Sequence, residues 1–517
     1  MSASGRPIRV LAGLIVGGTV LAMSGRALAA SDGPTVRIGV NEKKAAVRLN
    51  VTGQAVAGPA GGGQTPLPVT ERGATVRLAG YAVAGPLSPS SWMARSLAVE
   101  MRSSGLPAVT WAEAGGYRAA AGPLAGSAEA TTAATSSREA GLPAGVAGVA
   151  DGRPEAAGLE IITAEGRSTG VVAGPISVTR TGAADLRVNG RRYRGEFLAV
   201  RDPQGLISGV NRLPLEQYLR GVVPEEMPSA WPLEALKAQA VAARTYTLAN
   251  LGAFEKYGYD LSATVRSQAY GGQDSERPST DTAVAGTRGL VATYGGKLIS
   301  TYYHAHAGGR TDSSLDVWGF DEPYLRGTAE TYEKPNPWWV VYNRRGLERT
   351  VDGFLPASVN RAGASIGTLL RVVPGRFTPA GRALDVTLVG TGGTFTVPSE
   401  RLRGAVGATR MKSILYSVQG WPEVTFITAG AAGRAFRFVA RVGGRPSVVK
   451  VVRPRFGPTV PLVGRAPELF VLTGQGYGHG VGMSQWGAYE MAARGFTFDR
   501  ILNHFYQGTS VSPMSGR

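Results

Sequence analysis

Glu225 and Glu226 stand between Pro224 and Pro228, in the stretch Val222-Val223-Pro224-Glu225-Glu226-Met227-Pro228, just ahead of a long run free of helix breakers. Flanking prolines stiffen a turn. A carboxylate held there among Val222, Val223, Met227 and Trp231 would lose water, which lifts its pKa towards the ~6–7 that suits a general acid. The same residues also read as two solvated turn glutamates, and local chemistry alone does not choose between the readings. Other chemistries are easier to dismiss. The chain has no cysteine, so disulfides, thiolate metal sites and a cysteine nucleophile are excluded together. Ser484, in Gly482-Met483-Ser484-Gln485-Trp486, lacks the final glycine of a nucleophile elbow. The glycines between Gly474 and Gly482 recur at every second position and do not fit the Gly-x-Gly-x-x-Gly of a nucleotide site; they suit tight turns or a close approach of backbone to a ligand. His304 and His306, at i and i+2, point to opposite faces of a strand, so no metal is expected, and nothing calls for a cofactor.

The elements that must position Glu226 follow from spacing. Pro232 suits a first helical position, and the run to Leu251 predicts a helix over 232–251. Leu236, Ala240, Ala243 and Thr247 share one face of it, and their small size predicts close packing and burial. Gln239 and Tyr246, seven apart, lie on one side; Lys237 and Arg244 lie on another by the same rule. Polar groups on a buried helix need partners: they line a cleft or satisfy backbone carbonyls.

This segment resembles the SpoIID/LytB family of peptidoglycan lytic transglycosylases and their relatives. The hallmark is Glu226-Met227-Pro228 followed by the helix from Ala235 to Arg244. Further blocks agree in order: Ser267 to Gly272, Tyr303 to Thr311, Val317-Trp318, Pro323 to Leu325, Asp385 to Gly390, Arg403 to Ser413, Gly476 to Ala488, and Ile501 to Thr509. The resemblance spans roughly 200–513 and implies that Glu226 is the catalytic acid/base, with Glu225 a variable neighbour. It also implies a lytic reaction. A glycosidase that uses water needs two carboxylates at a defined separation, whereas a lytic transglycosylase can work with one, because the muramic acid 6-hydroxyl closes a 1,6-anhydro ring. The candidate substrate-binding residues are Lys237, Gln239, Arg244, Tyr246, Gln268, Tyr270, His304, His479 and Gln485. Trp231, Trp318, Trp338, Trp339 and Trp486 could stack on sugar rings, although core burial is the commoner fate of tryptophan. The family also includes proteins described as modifiers of a wall amidase, so a non-catalytic glycan binder acting on such a partner is the alternative.

The remainder of the 517 residues sets the context. Arg6 and Arg9, the apolar Val10 to Met23, and Ala27-Leu28-Ala29 form a secretory signal over 1–29. Its core is shorter than the ~20 residues of a membrane span, which leaves no span after cleavage. Export to the periplasm or cell envelope follows. The formal charge of +18 favours anionic partners; for an exported chain these are peptidoglycan glycan strands or other wall polymers, not nucleic acid. Residues 33–68 read as N-terminal strands and a linker. An internal repeat occupies 74–150: Tyr81 to Leu87, a helical run from Ser90 to Ser103 and Gly105-Leu106-Pro107, then Tyr117 to Leu124, a helical run from Ser127 to Glu139 and Gly141-Leu142-Pro143. Two strand–turn–helix halves make a small sheet with helices on one face, which resembles the glycan-binding SPOR domain. Short alternating segments from Leu159 predict antiparallel β-structure. The expected fold is therefore α+β: a mainly antiparallel catalytic region over 155–515 with a long buried helix, preceded by the small SPOR-like α/β sandwich.

Overall fold

The computed structural model describes residues 32–514 except 45, 61–64, 68–73, 80, 85–89, 104–107, 114–115, 125–131, 136–137, 139–144, 149–157, 164–167, 173–174, 203–205, 360, 422–423, 430–435, 443–444 and 452–466. The expected signal segment over 1–29 lies outside the described residues, as do parts of the 57–68 linker and of the second helical run of the repeat.

Alternating β-branched residues build one large sheet of eleven strands. Its main path runs Ser168–Val172, Gly158–Thr163, Ala74–Ala79, Ala46–Pro59, Ile176–Val188, Glu196–Arg201, Ile207–Pro214, Thr35–Lys44 and Leu261–Ser262. Every neighbour on that path is antiparallel except the last pair, Ile38 with Leu261 and Gly39 with Ser262. The fold is thus α+β and rich in antiparallel sheet. The N-terminal strands are not a separate unit. Thr35–Lys44 pairs with Ile207–Pro214, and Ala46–Pro59 pairs with Ile176–Val188, so the strands expected to precede the catalytic region are built into its sheet.

The small module is an excursion from that sheet. Ala74–Ala79 and Gly158–Thr163 are adjacent strands, and the chain between them forms Tyr81–Ala84, the helix Ser91–Ser103, Ala108–Glu113, Gly116–Leu124, a helical stretch over 132–135, and Gly145–Gly148. Taken in chain order, its strands lie second, third, first, fourth across an antiparallel sheet. The module begins at Tyr81 and not at Ala74, because alternation marks a strand without saying which sheet it joins.

From Pro214 the chain enters the helix Leu215–Glu226 and then the helix Leu233–Ala249. Leu215, Tyr218, Leu219, Val222 and Val223 are all buried in the main core. At ~1.5–3 kcal/mol for each large apolar side chain, that face can carry Pro224, which removes one backbone hydrogen bond in the last turn. Glu225 and Glu226 therefore end a helix; they do not sit in a free turn. In Leu233–Ala249 burial extends almost all round, from Ala235 to Thr247, because five alanines let neighbouring helices close in. A second core gathers Trp338, Val340, Leu347, Val351, Val386, Leu388, Tyr416, Phe470 and Leu472 under the sheets of residues 337–421 and 469–475. Arg382 and Asp312, both fully buried, tie it to the first: Arg382 Nη1 reaches Asp312 Oδ2 at 2.7 Å and Arg310 O at 3.1 Å.

Candidate active site

The last turn of Leu215–Glu226 holds the two glutamates in different surroundings. Glu225 is exposed, with Ser275 donating to its Oε1. Glu226 turns inward. Its Oε1 accepts the Ala269 N–H at 2.7 Å, and its Oε2 lies 3.4 Å from Gln485 Nε2. Loss of solvation pushes the Glu226 carboxyl above the ordinary carboxylate range, against the pull of the Ala269 N–H, the Gln485 amide and the Tyr303 hydroxyl; the charge of Glu225 adds to the rise. Yet Glu226 keeps partial solvent exposure. Oε1 is fixed by a short backbone bond and Oε2 only by a long contact, so Oε2 is the oxygen free to carry and deliver a proton.

One glutamine side chain touches this carboxylate and two more lie one contact further out. Gln485, first residue of the helix Gln485–Ala493, also meets Gln239 Oε1 at 3.4 Å. Gln239 is fully buried, and its Nε2 has no partner among the described residues. Gln268 takes the Tyr303 hydroxyl on Oε1 at 3.0 Å and gives its amide to Thr247 Oγ1 at 2.8 Å, which fixes the hydroxyl beside Glu226. Tyr246 belongs to the same group: burial raises its hydroxyl to about 12, with a smaller contribution from the Glu226 charge.

The other expected substrate contacts are engaged elsewhere. Arg244 is 1% exposed and forks onto Glu216, Nε to Oε1 and Nη2 to Oε2, each at 2.7 Å. Lys237 pairs with Glu234 one turn back and stands 5.9 Å from the Phe498 ring. The helix spacing grouped these two correctly, but the neighbour that claims each lies outside the spacing rule. Tyr270 is buried, giving its hydroxyl to Asn211 Oδ1 at 2.7 Å. His304 and His479 hold the backbone of Val481: His304 Nδ1 donates to Val481 O, and His479 Nδ1 accepts the Val481 N–H, each at 3.1 Å. His479 Nε2 must then carry the proton, which it gives to Tyr303 O at 3.0 Å. Burial holds both rings neutral, His304 well below the usual histidine range and His479 pushed down to about 4. The two histidines thus act through the backbone on either side of the site.

Gly476, Gly478, Gly480 and Gly482 all have positive φ. What approaches them is protein: a Cβ at 480 would overlap the Arg382 guanidinium, and one at 482 the Tyr302 carbonyl. The alternating glycines therefore let this loop thread through its own core. Two partly exposed aromatic clusters adjoin this region, one at Trp486, next in sequence to Gln485, and one at Trp318, against His479. Trp486 is 41% exposed, with Trp231 and Tyr489 against it at 4.8 and 5.3 Å between ring centroids. Trp318 is 37% exposed, stacked on Phe320 at 5.6 Å and close to Tyr302 at 4.7 Å. Trp338, by contrast, is core. Residues that spacing missed are Tyr303, whose hydroxyl faces Glu226, and Glu333, which no pattern marks. Among the described residues no three His, Asp or Glu side chains cluster in a metal-holding arrangement, and no helix is long and apolar enough to cross a membrane.

Comparison with known proteins falls on this same region. A family model described as stage II sporulation protein, SpoIID, matches residues 204–294, the stretch that holds Glu226, Gln239, Tyr246, Gln268 and Ala269. The chain is 30% identical over 328 residues to an uncharacterized protein of Brachyspira hyodysenteriae, covering 63% of this chain and 73% of that one. It is 31% identical over 302 residues to the amidase enhancer of Bacillus subtilis, covering 57% of this chain and 40% of the relative. To the stage II sporulation protein D of Bacillus amyloliquefaciens it is 26% identical over 320 residues, 59% of this chain and 75% of that one. Helix, carboxylate, Gln239 and Gln268 fall within the matched stretch while Gln485 lies beyond it, and the chain belongs to the SpoIID family.

Proposed function

We propose that the chain is an exported peptidoglycan lytic transglycosylase that cuts MurNAc–GlcNAc strands with Glu226 as its general acid and base. The observation that carries the reading is the environment of Glu226: a carboxyl raised by burial in a residue that keeps partial exposure, Oε1 anchored by the Ala269 N–H and Oε2 held only by the long Gln485 contact. A protonated Oε2 gives its proton to the glycosidic oxygen as the C1–O4 bond breaks. Positive charge then develops at C1 of the MurNAc ring. The muramic 6-hydroxyl attacks that carbon, and its proton returns to Oε2, so the acid is regenerated and the product ends in 1,6-anhydroMurNAc. Gln485 supports the carboxylate between the two transfers. The tryptophan surfaces at Trp486 and Trp318 would offer platforms for sugar faces. The inserted module, whose strand order suits a SPOR-like fold, would hold strands free of stem peptides.

A second reading draws on the Bacillus subtilis relative named amidase enhancer: the chain would bind glycan and assist an amidase without cutting. Digestion of purified sacculi, with and without stem peptides, separates the two. The lytic reading expects anhydro-muramic ends from the wild type and a loss of at least about 100-fold in Glu226→Gln. Wild type releasing none, or the variant releasing as many, would refute it.

A further inference from the structure

Glu333 is a buried carboxylate in an irregular stretch, away from the helix that carries Glu226. It collects the N–H groups of Ala307, Gly308 and Gly309 at 3.1, 2.6 and 3.3 Å, His306 Nδ1 at 2.9 Å, and the Ser484 hydroxyl at 2.6 Å. Ser484 is fully buried and is the N-cap of Gln485–Ala493, its Oγ accepting the Gly487 N–H at 3.2 Å. The next residue, Gln485, sends its amide to Glu226 Oε2 and to Gln239 Oε1. A continuous set of hydrogen bonds therefore runs from Glu333 through Ser484 to the start of this helix, and from its first side chain to Glu226.

We infer that Ser484, held by Glu333, is a positioning residue for Glu226: it fixes the helix start so that the Gln485 amide is aimed at Oε2. The helix has only nine residues, too short to be stable on its own, so its first turn depends on its cap. An uncapped start frays, and the first residue to leave is Gln485. Gln485 is the one side-chain amide on Oε2 among the described residues, so its loss removes the donor that follows the charge when Oε2 is ionised. The hydroxyl of Ser484 is used twice, once as donor and once as acceptor, at a position closed to solvent. His306 and the three backbone N–H groups hold Glu333 in place, so the anchor does not shift with the helix.

The inference concerns the proposed acid/base, but its test reads the titration of Glu226 without substrate. Sacculi left uncut by the wild type would count against the lytic reading and not against this one. Protein carrying 13C at glutamate Cδ, with the Glu226 signal assigned from Glu226→Gln, is titrated by NMR. The other groups that face Glu226, namely Glu225, Tyr218, Tyr246 and Tyr303, stay unchanged in every variant. Gln485→Leu should shift the Glu226 midpoint upward. Ser484→Ala should shift it in the same sense, the double variant no further than Gln485→Leu alone, and Ser484→Thr should restore it. Ser484→Gly, which keeps a cap-compatible backbone but loses the hydroxyl, supplies the same reading where the alanine variant fails to fold. A midpoint unmoved by the loss of the hydroxyl, or shifts that add in the double variant, would overturn the inference.

Discussion

Arg244 separates a substrate contact from a structural one, and the difference can be measured. Its guanidinium forks onto Glu216, two bonds of 2.7 Å between side chains that are 1% and 5% exposed. It also donates to Leu290 O at 3.2 Å and Val284 O at 3.4 Å. Without the arginine, Glu216 keeps only the Gly289 N–H at 3.3 Å among its described donors. Arg244→Met should then cost about 3–5 kcal/mol, the usual penalty for a buried charge stripped of its partner. Replacing both, as Arg244→Met with Glu216→Leu, removes the stranded charge and should recover all but about 1–2 kcal/mol, the remainder reflecting the two carbonyls that lose a donor. Arg244→Lys should fall between, because an ammonium cannot reproduce the fork. Urea unfolding followed by tryptophan fluorescence gives the three values, and the single Glu216→Leu variant measured beside them closes the double-mutant cycle. A folded Arg244→Met within about 1 kcal/mol of wild type, with weaker glycan binding, would refute this reasoning and return Arg244 to the substrate.

Two further outcomes follow from the same packing. Burial raises the folded-state pKa of Glu226, so the fold prefers the protonated acid. That stability is present at low pH and is lost as pH rises through the folded pKa. Glu226→Gln, neutral throughout, should melt above wild type at about pH 8 and level with it below about pH 4; a variant less stable than wild type at the higher pH would contradict the assigned burial. Gly480→Ala would place a methyl group on the Arg382 guanidinium at a backbone φ of 79°. Strain and a displaced buried ion pair together should cost roughly 3–5 kcal/mol, read as a lowered melting temperature and a poor soluble yield, whereas a neutral result would mean that the loop can move off Arg382.

How much of this was legible in the sequence depended on whether a residue's partner was local. The helix that carries Gln239 and Tyr246 could be read from its spacing, and both side chains face the Glu226 group. Arg244 lies on that same helix, but the residue that claims it, Glu216, belongs to the preceding helix, and helical spacing is blind to it. The strands at Thr35–Lys44 and Ala46–Pro59 were visible as alternation, while their partners lie more than a hundred residues on, at Asn211 for Ile38 and Leu186 for Val51. Their place inside the large sheet was therefore hidden.

The contrast between Glu226 and Glu333 shows what a sequence cannot count. Both carboxylates are withdrawn from water, and burial alone would raise both. Glu333 receives three backbone N–H groups, a serine hydroxyl and the His306 ring; the histidine and these donors outweigh burial and hold it below the ordinary range. Glu226 receives one short backbone N–H and a long amide contact, with the Tyr303 hydroxyl close by, and burial wins. A general acid must be protonated when its substrate arrives, so the carboxylate with fewer donors is the one fit for that work. The other, ionised and fully bonded, is fit to hold a helix in place. Donor number is a property of the folded chain: Gly308 and Ser484 reach Glu333 from sites 25 and 151 residues apart from it in sequence.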